Sequence, residues 1–280
     1  MASASAGEGE AEVEVPRVVR ASWRGGLPVL VEGVDADFED APLPAFSFAS
    51  RQSFLPFALA EKLAAMRTTS VVPARMQEVW FEAQGVALKW QYPLGALFDV
   101  LYPRDAAPLR ITIHLRGAGL SSSEAPVVPC PGPDAARKEF FHLFKQGMFL
   151  RYNSRLPFTE LRENDDDALW ESVLAGEVDR YWFVLQRMHE YVPKAAPVRI
   201  LQLVERGNLR TVASKQIVVP LDSSLTAQEL VDDYVLGLDG RTKLRCQGID
   251  VPSDALVVDL YESLAHADMF LYICLYTDEA

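Results

Sequence analysis

The chain has 280 residues, 49% hydrophobic and 10% aromatic, and its 39 acidic side chains against 27 basic ones give a net charge of −12. That length supports one large core or two to three small ones, while the charge opposes broad attraction to phosphate backbones or anionic lipid. No run of 18 apolar residues occurs, the opening MASASAGEGEAEVEV lacks the basic start and apolar centre of a secretory signal, and three irregularly spaced cysteines supply no disulfide framework, which fits a reducing cytosol.

Residues 1–15 are small, polar and acidic, and read as a disordered tail. An N-terminal helix is expected over 16–26, with Arg17, Arg20 and Arg24 on one face, Val19 and Trp23 on the other, and Gly25-Gly26 at its end. Two or three turns bury little lipid-facing area, so packing on its own domain outweighs membrane anchoring.

Residues 27–117 read as strand, strand, helix, strand pair, short helix and strand. LPVLVEG and AFSFASRQ are the first strands, and Phe46 and Phe48 alternate with small residues as in a half-buried strand. Leu55, Leu59 and Leu63 recur every four residues, hence a helix. EVWFEAQGVALKW is a strand pair around Gln84-Gly85, YPLGALFDVLYP a short helix and LRITIHL a strand. Residues 118–133 are rich in Ser and Pro and form a linker.

A helical domain follows over 134–193, with Phe140, Phe144 and Met148 on one stripe of its first helix and two further helical stretches in DDDALWESVL and EVDRYWFVLQRMHEYV. Residues 194–276 repeat the first order of elements, and superposing the Gly turns aligns KLRCQGIDV with VWFEAQGVA. A repeat of this kind means two copies of one small domain. The succession is the ubiquitin-like β-grasp, in which one helix covers one face of a mixed sheet and leaves the other to meet a partner. The expected fold class is thus α+β, two ubiquitin-like domains flanking an α-helical domain. The chain ends ICLYTDEA without the Gly-Gly tail of a modifier, so it reads as a scaffold or a target.

Local catalytic motifs are absent. His114, His142, His189 and His266 and the three cysteines have no zinc spacing, and there is no GxSxG, GxxxxGK[ST] or GxGxxG. Asp165-Asp166-Asp167 reads as negative charge at a helix N-terminus, and Cys130 as a loop thiol. No cofactor or metal is expected. Lys145 stands at the rim of the stripe made by Phe140, Phe141, Phe144 and Met148, with Lys138 two turns earlier on a similar face. Its stem can lie on apolar packing while its amine reaches water, as an acyl acceptor requires, though on spacing alone an ordinary solvated lysine is well ahead. A non-covalent adaptor using the two grasp surfaces and an enzyme with a dispersed site are the alternatives.

The residues in EVWFEAQGVALKWQYPLGALFDVL fit the pattern [EI]-x-W-F-E-x-x-G-x-x-L-K-W-x-Y-P-[IL]-G-x-L-[FY]-D, and the chain resembles the autophagy protein 5 family over residues 17–276. Trp23-x-Gly25 with Pro28, Arg51-x-Ser-Phe54-Leu55, Cys130-Pro131, Leu169-Trp170 and Asp179-x-Tyr181-Trp182 add to the match. The resemblance implies a non-catalytic scaffold whose Lys145 receives the C-terminal Gly of the ubiquitin-like autophagy protein 12. It also implies that the N-terminal helix of autophagy protein 16 sits in a groove of all three domains, for which Trp23, Arg51 and Phe54 are candidates. The assembly would act like a ligase, passing autophagy protein 8 to phosphatidylethanolamine during autophagosome formation, in the cytoplasm and peripherally on the preautophagosomal or phagophore membrane. The sequence departs from the family at Gln146-Gly147, where an interior Gly predicts that the helix frays just past Lys145.

Overall fold

Two glycine turns with the same backbone organise the molecule. Gln84 and Gly85 have φ of 52° and 74°, and Gln247 and Gly248 have 50° and 79°. Positive φ at both central residues makes a two-residue turn whose twist suits a hairpin. The structure is a computed structural model, and residues 14–40, 42–102, 107–117, 126–162, 164–188, 190–235 and 241–277 are described. The tail at 1–13, linker residues 118–125 and His189 lie outside them.

The first turn joins β3 (Trp80–Ala83) to β4 (Val86–Ala87) in a five-stranded sheet ordered β2-β1-β5-β3-β4, with β1 Gly26–Gly33, β2 Ala45–Ser50 and β5 Leu109–His114. The second joins β8 (Thr242–Cys246) to β9 (Ile249–Asp250) in a sheet ordered β7-β6-β10-β8-β9, with β6 Ala195–Arg206, β7 Leu209–Pro220 and β10 Leu271–Thr277. In both, the first strand runs parallel to the last and antiparallel to the second. The molecule is α+β, with two ubiquitin-like sheets separated in sequence by helices.

In the first sheet Leu27, Val29 and Val31 of β1 and Leu109, Ile111 and Ile113 of β5 are buried at alternate positions. They pack with Leu55, Leu59 and Leu63, whose run is two helices, α2 (Leu55–Ala58) and α3 (Ala60–Thr69), because Leu59 leaves helical geometry at φ −112° and ψ 12°. Phe46 and Phe48 do alternate, but outward, at 72% and 75% exposed. The small residues of β2 take the other face, and the Phe48 ring lies over Gly26, where a Cβ would stand 2.1 Å from it.

The last strand of the second sheet, β10, is covered on both faces. Leu271, Ile273 and Leu275 of β10 face α9 (Ala227–Tyr234) and α10 (Val257–Leu264) in one core, while Tyr272 and Cys274 belong to the core of the first domain. The cover is α4 (Leu94–Leu101), the short helix of the first domain, whose eight residues are all buried. One grasp unit thus plugs the surface that the other was expected to offer. Thr226 starts α9 with a reciprocal capping box to Glu229, satisfying two otherwise unpaired backbone donors.

The helical domain holds α5 (Pro133–Tyr152), α6 (Leu156–Thr159), α7 (Asp165–Ala175) and α8 (Val178–Gln186). Asp165 is the working member of the acidic run: it is 5% exposed, pairs with Arg187, and accepts from the Arg162 N–H at 2.8 Å.

Candidate functional site

Pro133 sits in the first turn of α5, where its missing N–H costs nothing, and Asn153 ends the helix in the left-handed region at φ 51°. Phe140, Phe144 and Met148 are buried on the expected stripe, and they fix the helix so that Lys145 points outward and is exposed. Its Nζ lies 4.4 Å from the centroid of the Phe158 ring on α6. A cation over an exposed aromatic face is held by roughly 0.5–1 kcal/mol, enough to bias the amine without locking it. Lys145 shares a hollow of ≈ 630 Å³ with Asp134, Lys138, Phe141, His142 and Asp166.

The expected fraying past Lys145 does not occur, because Gly147 is buried against the second ubiquitin-like domain. A Cβ there would stand 2.7 Å from the Met269 Cβ and 2.8 Å from the Asp268 carbonyl oxygen. Beside it Gln146 accepts from Arg199 Nη2 at 3.1 Å. The glycine that weakens the helix as a peptide lets another backbone close on it. Gly147→Ala decides which effect wins: helix propensity alone would add about 1 kcal/mol, whereas overpacking costs roughly 1–3 kcal/mol. The expected result is a loss of stability in urea denaturation; a gain would show that the 268–269 loop gives way freely.

A second feature lies where α1 (Arg17–Trp23), α8, the end of α5 and the loop between α10 and β10 meet. This cavity of ≈ 350 Å³ is lined by Trp23, Arg151, Tyr181, Trp182, His266 and Met269, among others. Trp23 is 3% exposed and packs on Tyr181 at 4.8 Å between centroids, while the Tyr181 hydroxyl donates to the Ala267 carbonyl at 2.7 Å. Trp182 Nε1, Arg151 Nη1 and His266 Nδ1 are buried there with no hydrogen-bond partner. An orphaned buried polar atom costs on the order of 1–3 kcal/mol, so the wall is short of partners. Tyr181 and Trp182 stood in the sequence as part of a recognisable motif, but nothing in their spacing showed that they face a cavity.

Burial, helped by the nearby charge of Arg51, holds His266 down to about 3. Below its ordinary value near 6.5 the unfolded chain takes a proton that the folded chain refuses, so this residue's contribution to stability falls with pH, by about 1.4 kcal/mol per unit. The stability difference between the native chain and His266→Gln should therefore shrink by about 1.6 kcal/mol between pH 6.5 and pH 5. Urea denaturation at both pH values checks this, and a constant difference contradicts it.

Two candidate groove residues are placed elsewhere. Arg51 is 6% exposed, pairs with the 1%-exposed Asp99 and donates from Nη2 to the Gly95 carbonyl at 3.1 Å. Asp99 in turn accepts from the Gly248 N–H at 2.8 Å, so Arg51 clamps the first ubiquitin-like domain to the turn of the second. Phe54 is 1% exposed, its ring 6.2 Å from that of Phe140 and 6.4 Å from that of Trp170. Buried charge pairing and aromatic packing leave these two no surface for a partner, and only Trp23 of the three reaches a cavity wall. Cys130 is a loop thiol, as expected, and it is buried, which pushes its pKa up.

Family models described as the UblA domain, the alpha-helical bundle region and the UblB domain of autophagy protein ATG5 match residues 22–115, 133–191 and 184–275. The chain belongs to the autophagy protein 5 family. It is 30% identical over 171 residues to autophagy protein 5 of Oryza sativa subsp. indica, an alignment covering 60% of this chain and 43% of the rice protein. The chain thus spans less than half the length of that plant relative. It is 27% identical over 236 residues to autophagy-related protein 5 of Kluyveromyces marxianus, covering 80% of this chain and 84% of that one. The crystal structure of Kluyveromyces marxianus Atg5 superposes with a TM-score of 0.76 at 25% identity, covering 92% of this chain and 99% of that chain. As a member of the autophagy protein 5 family, the chain is an autophagy protein with two ubiquitin-like domains.

Proposed function

We propose that the chain is a non-catalytic scaffold of autophagosome formation, joined through Lys145 to autophagy protein 12. The observation that carries this reading is the presentation of Lys145: an exposed amine on a 20-residue helix anchored by buried aromatic rings, resting over Phe158. In the reaction the ammonium loses a proton, Nζ attacks the thioester carbonyl at the modifier's C-terminal Gly, the C–N isopeptide bond forms, and the C–S bond breaks as the conjugating enzyme's thiolate leaves. The scaffold's share is position, since holding one amine at the thioester replaces a diffusional encounter.

The cavity beside Trp23 supports seating of an amphipathic helix, the mode expected for autophagy protein 16. Its aromatic wall takes apolar side chains, and among its unpartnered polar atoms Trp182 Nε1–H and Arg151 Nη1–H are donors that an acceptor group of the visitor would satisfy. The joined assembly promotes transfer of autophagy protein 8 to phosphatidylethanolamine, in the cytoplasm and at the phagophore membrane. A reconstituted mixture of activating enzyme, conjugating enzyme and modifier tests the reading: the native chain should gain one modifier mass. Tight binding of the partner helix without any mass gain would make the chain a non-covalent adaptor instead.

A further inference from the structure

Where domains of this molecule meet, buried arginines are answered by carboxylates: Arg51 by Asp99, and Arg151 by Glu262 at 2.9 Å. One junction breaks that rule. A hollow of ≈ 380 Å³ lies between the segment leading into α4, helix α5 and the β6–β7 hairpin, so all three domains contribute to its wall. Its two fixed cations are Lys89 and Arg199. Lys89 Nζ donates to the Val212 carbonyl at 2.8 Å. Arg199 donates from Nη2 to the amide oxygens of Gln146 at 3.1 Å and Gln216 at 3.3 Å, and from Nη1 to the Tyr272 hydroxyl at 3.4 Å.

All of these acceptors are neutral. In a chain with 39 acidic residues to 27 basic ones, two half-buried cations meet at one junction with neutral groups as their hydrogen-bond acceptors. Asp268, whose charge acts on Arg199, is buried and turned to the Tyr272 hydroxyl at 2.6 Å and the Phe270 N–H at 3.2 Å. Glu139 is the carboxylate on the wall, one against two. Burial lowers the pKa of Lys89.

The remaining wall supplies hydrogen bonds. The Tyr92 hydroxyl donates to Ser214 Oγ at 2.7 Å, which leaves the Ser214 hydroxyl proton available to another acceptor, and His142 and the Gln91 amide stand alongside on the wall. Gln91 Oε1 is buried without a partner, and a half turn of that amide presents its NH₂ instead. Two cations plus neutral donors in a partly enclosed space are the chemistry of oxyanion capture.

We propose that this three-domain hollow binds a small phosphate-type anion, with Lys89 and Arg199 supplying charge and Ser214, His142 and Gln91 supplying hydrogen bonds. Such a ligand touches both ubiquitin-like domains and the helical domain at once, so its binding stabilises their arrangement by mass action.

The test is thermal unfolding of the full chain in millimolar pyrophosphate against sodium chloride of equal ionic strength. A rise in midpoint of about 5 °C at saturation is expected, with broadening of the phosphorus resonance of pyrophosphate by the native chain. Both effects should be lost in Lys89→Met and in Arg199→Met and kept in Lys138→Met, which removes an exposed cation lining a different hollow. Lys89→Met is the milder change, since it keeps an apolar stem and gives up one bond to a backbone carbonyl. Flotation on phosphatidylcholine vesicles containing phosphatidylinositol phosphate, sensitive to the same two variants, would identify a lipid headgroup as the source, and soluble protection without flotation a free phosphate. A midpoint in pyrophosphate equal to that in matched chloride, or a rise that survives both Met variants, overturns the proposal.

Discussion

Lys145→Arg is expected to slow formation of the modifier adduct on the order of 1000-fold or more, below detection in a reconstituted mixture. A guanidinium does not deprotonate in proteins and cannot serve as the nucleophile, while any other lysine would have to find the thioester by encounter. The variant should otherwise be well behaved. Lys145 makes no buried contact beyond its stem, its charge is kept, and the Phe158 ring accepts a guanidinium as readily as an ammonium. The thermal midpoint should therefore stay within about a degree of the native value, since exposed substitutions move stability by roughly 0.5 kcal/mol or less. Lys138→Arg, on the same helix and in the same hollow, should conjugate like the native chain. Undiminished adduct on Lys145→Arg would move the acceptor elsewhere.

Arg51→Met should destabilise the molecule strongly. It leaves the Asp99 carboxylate, 1% exposed, with only the Gly248 N–H at 2.8 Å for a direct partner. Stranding one half of a buried ion pair costs about 3–5 kcal/mol, which for a chain of this size lowers the midpoint by roughly 10 °C. The neighbourhood is built around the guanidinium. A Cβ on Gly25 would stand 2.9 Å from Arg51 Cδ, one on Gly95 2.8 Å from its Cβ, and one on Gly248 3.1 Å from its Cζ. Because those glycines come from the end of α1, from α4 and from the turn of the second domain, losing Arg51 loosens the joint between the ubiquitin-like domains. The double change Arg51→Met with Asp99→Leu should recover most of the loss, because neither half of the pair is then left buried without the other. Equal instability of the single and double variants would mean that packing, not charge, makes the clamp.

What the sequence could reveal follows from what is local. The two Gln-Gly turns, the four-residue recurrence of Phe140, Phe144 and Met148 and the capping residues of α9 depend on neighbours in the chain, and the duplicated fold was legible from them. The relations between domains were not. Alternation in AFSFAS shows a two-sided strand but not which side is wet, and Phe46 and Phe48 are on the wet one. Helix propensity marks Gly147 as a weak point, whereas the close approach of Met269, more than a hundred residues away, makes it a notch. Arg51 looks like a surface cation until Asp99 and Gly248 are brought to it. The exposure of Lys145 was legible because it depends only on the apolar stripe of its own helix, whereas its role as acceptor was implied by the family resemblance and not by spacing. The walls of the cavity beside Trp23 come from both ends of the chain, so spacing could not assemble them.

The central claim is a single isopeptide bond at a single amine. Tandem mass spectrometry of proteolytic peptides, from protein purified from its own cells, reads that bond directly. A branched peptide carrying the modifier's C-terminal Gly on the Lys145 Nζ is the expected result. Peptides spanning Lys145 that are unmodified throughout, or a branch on any other lysine, would contradict it.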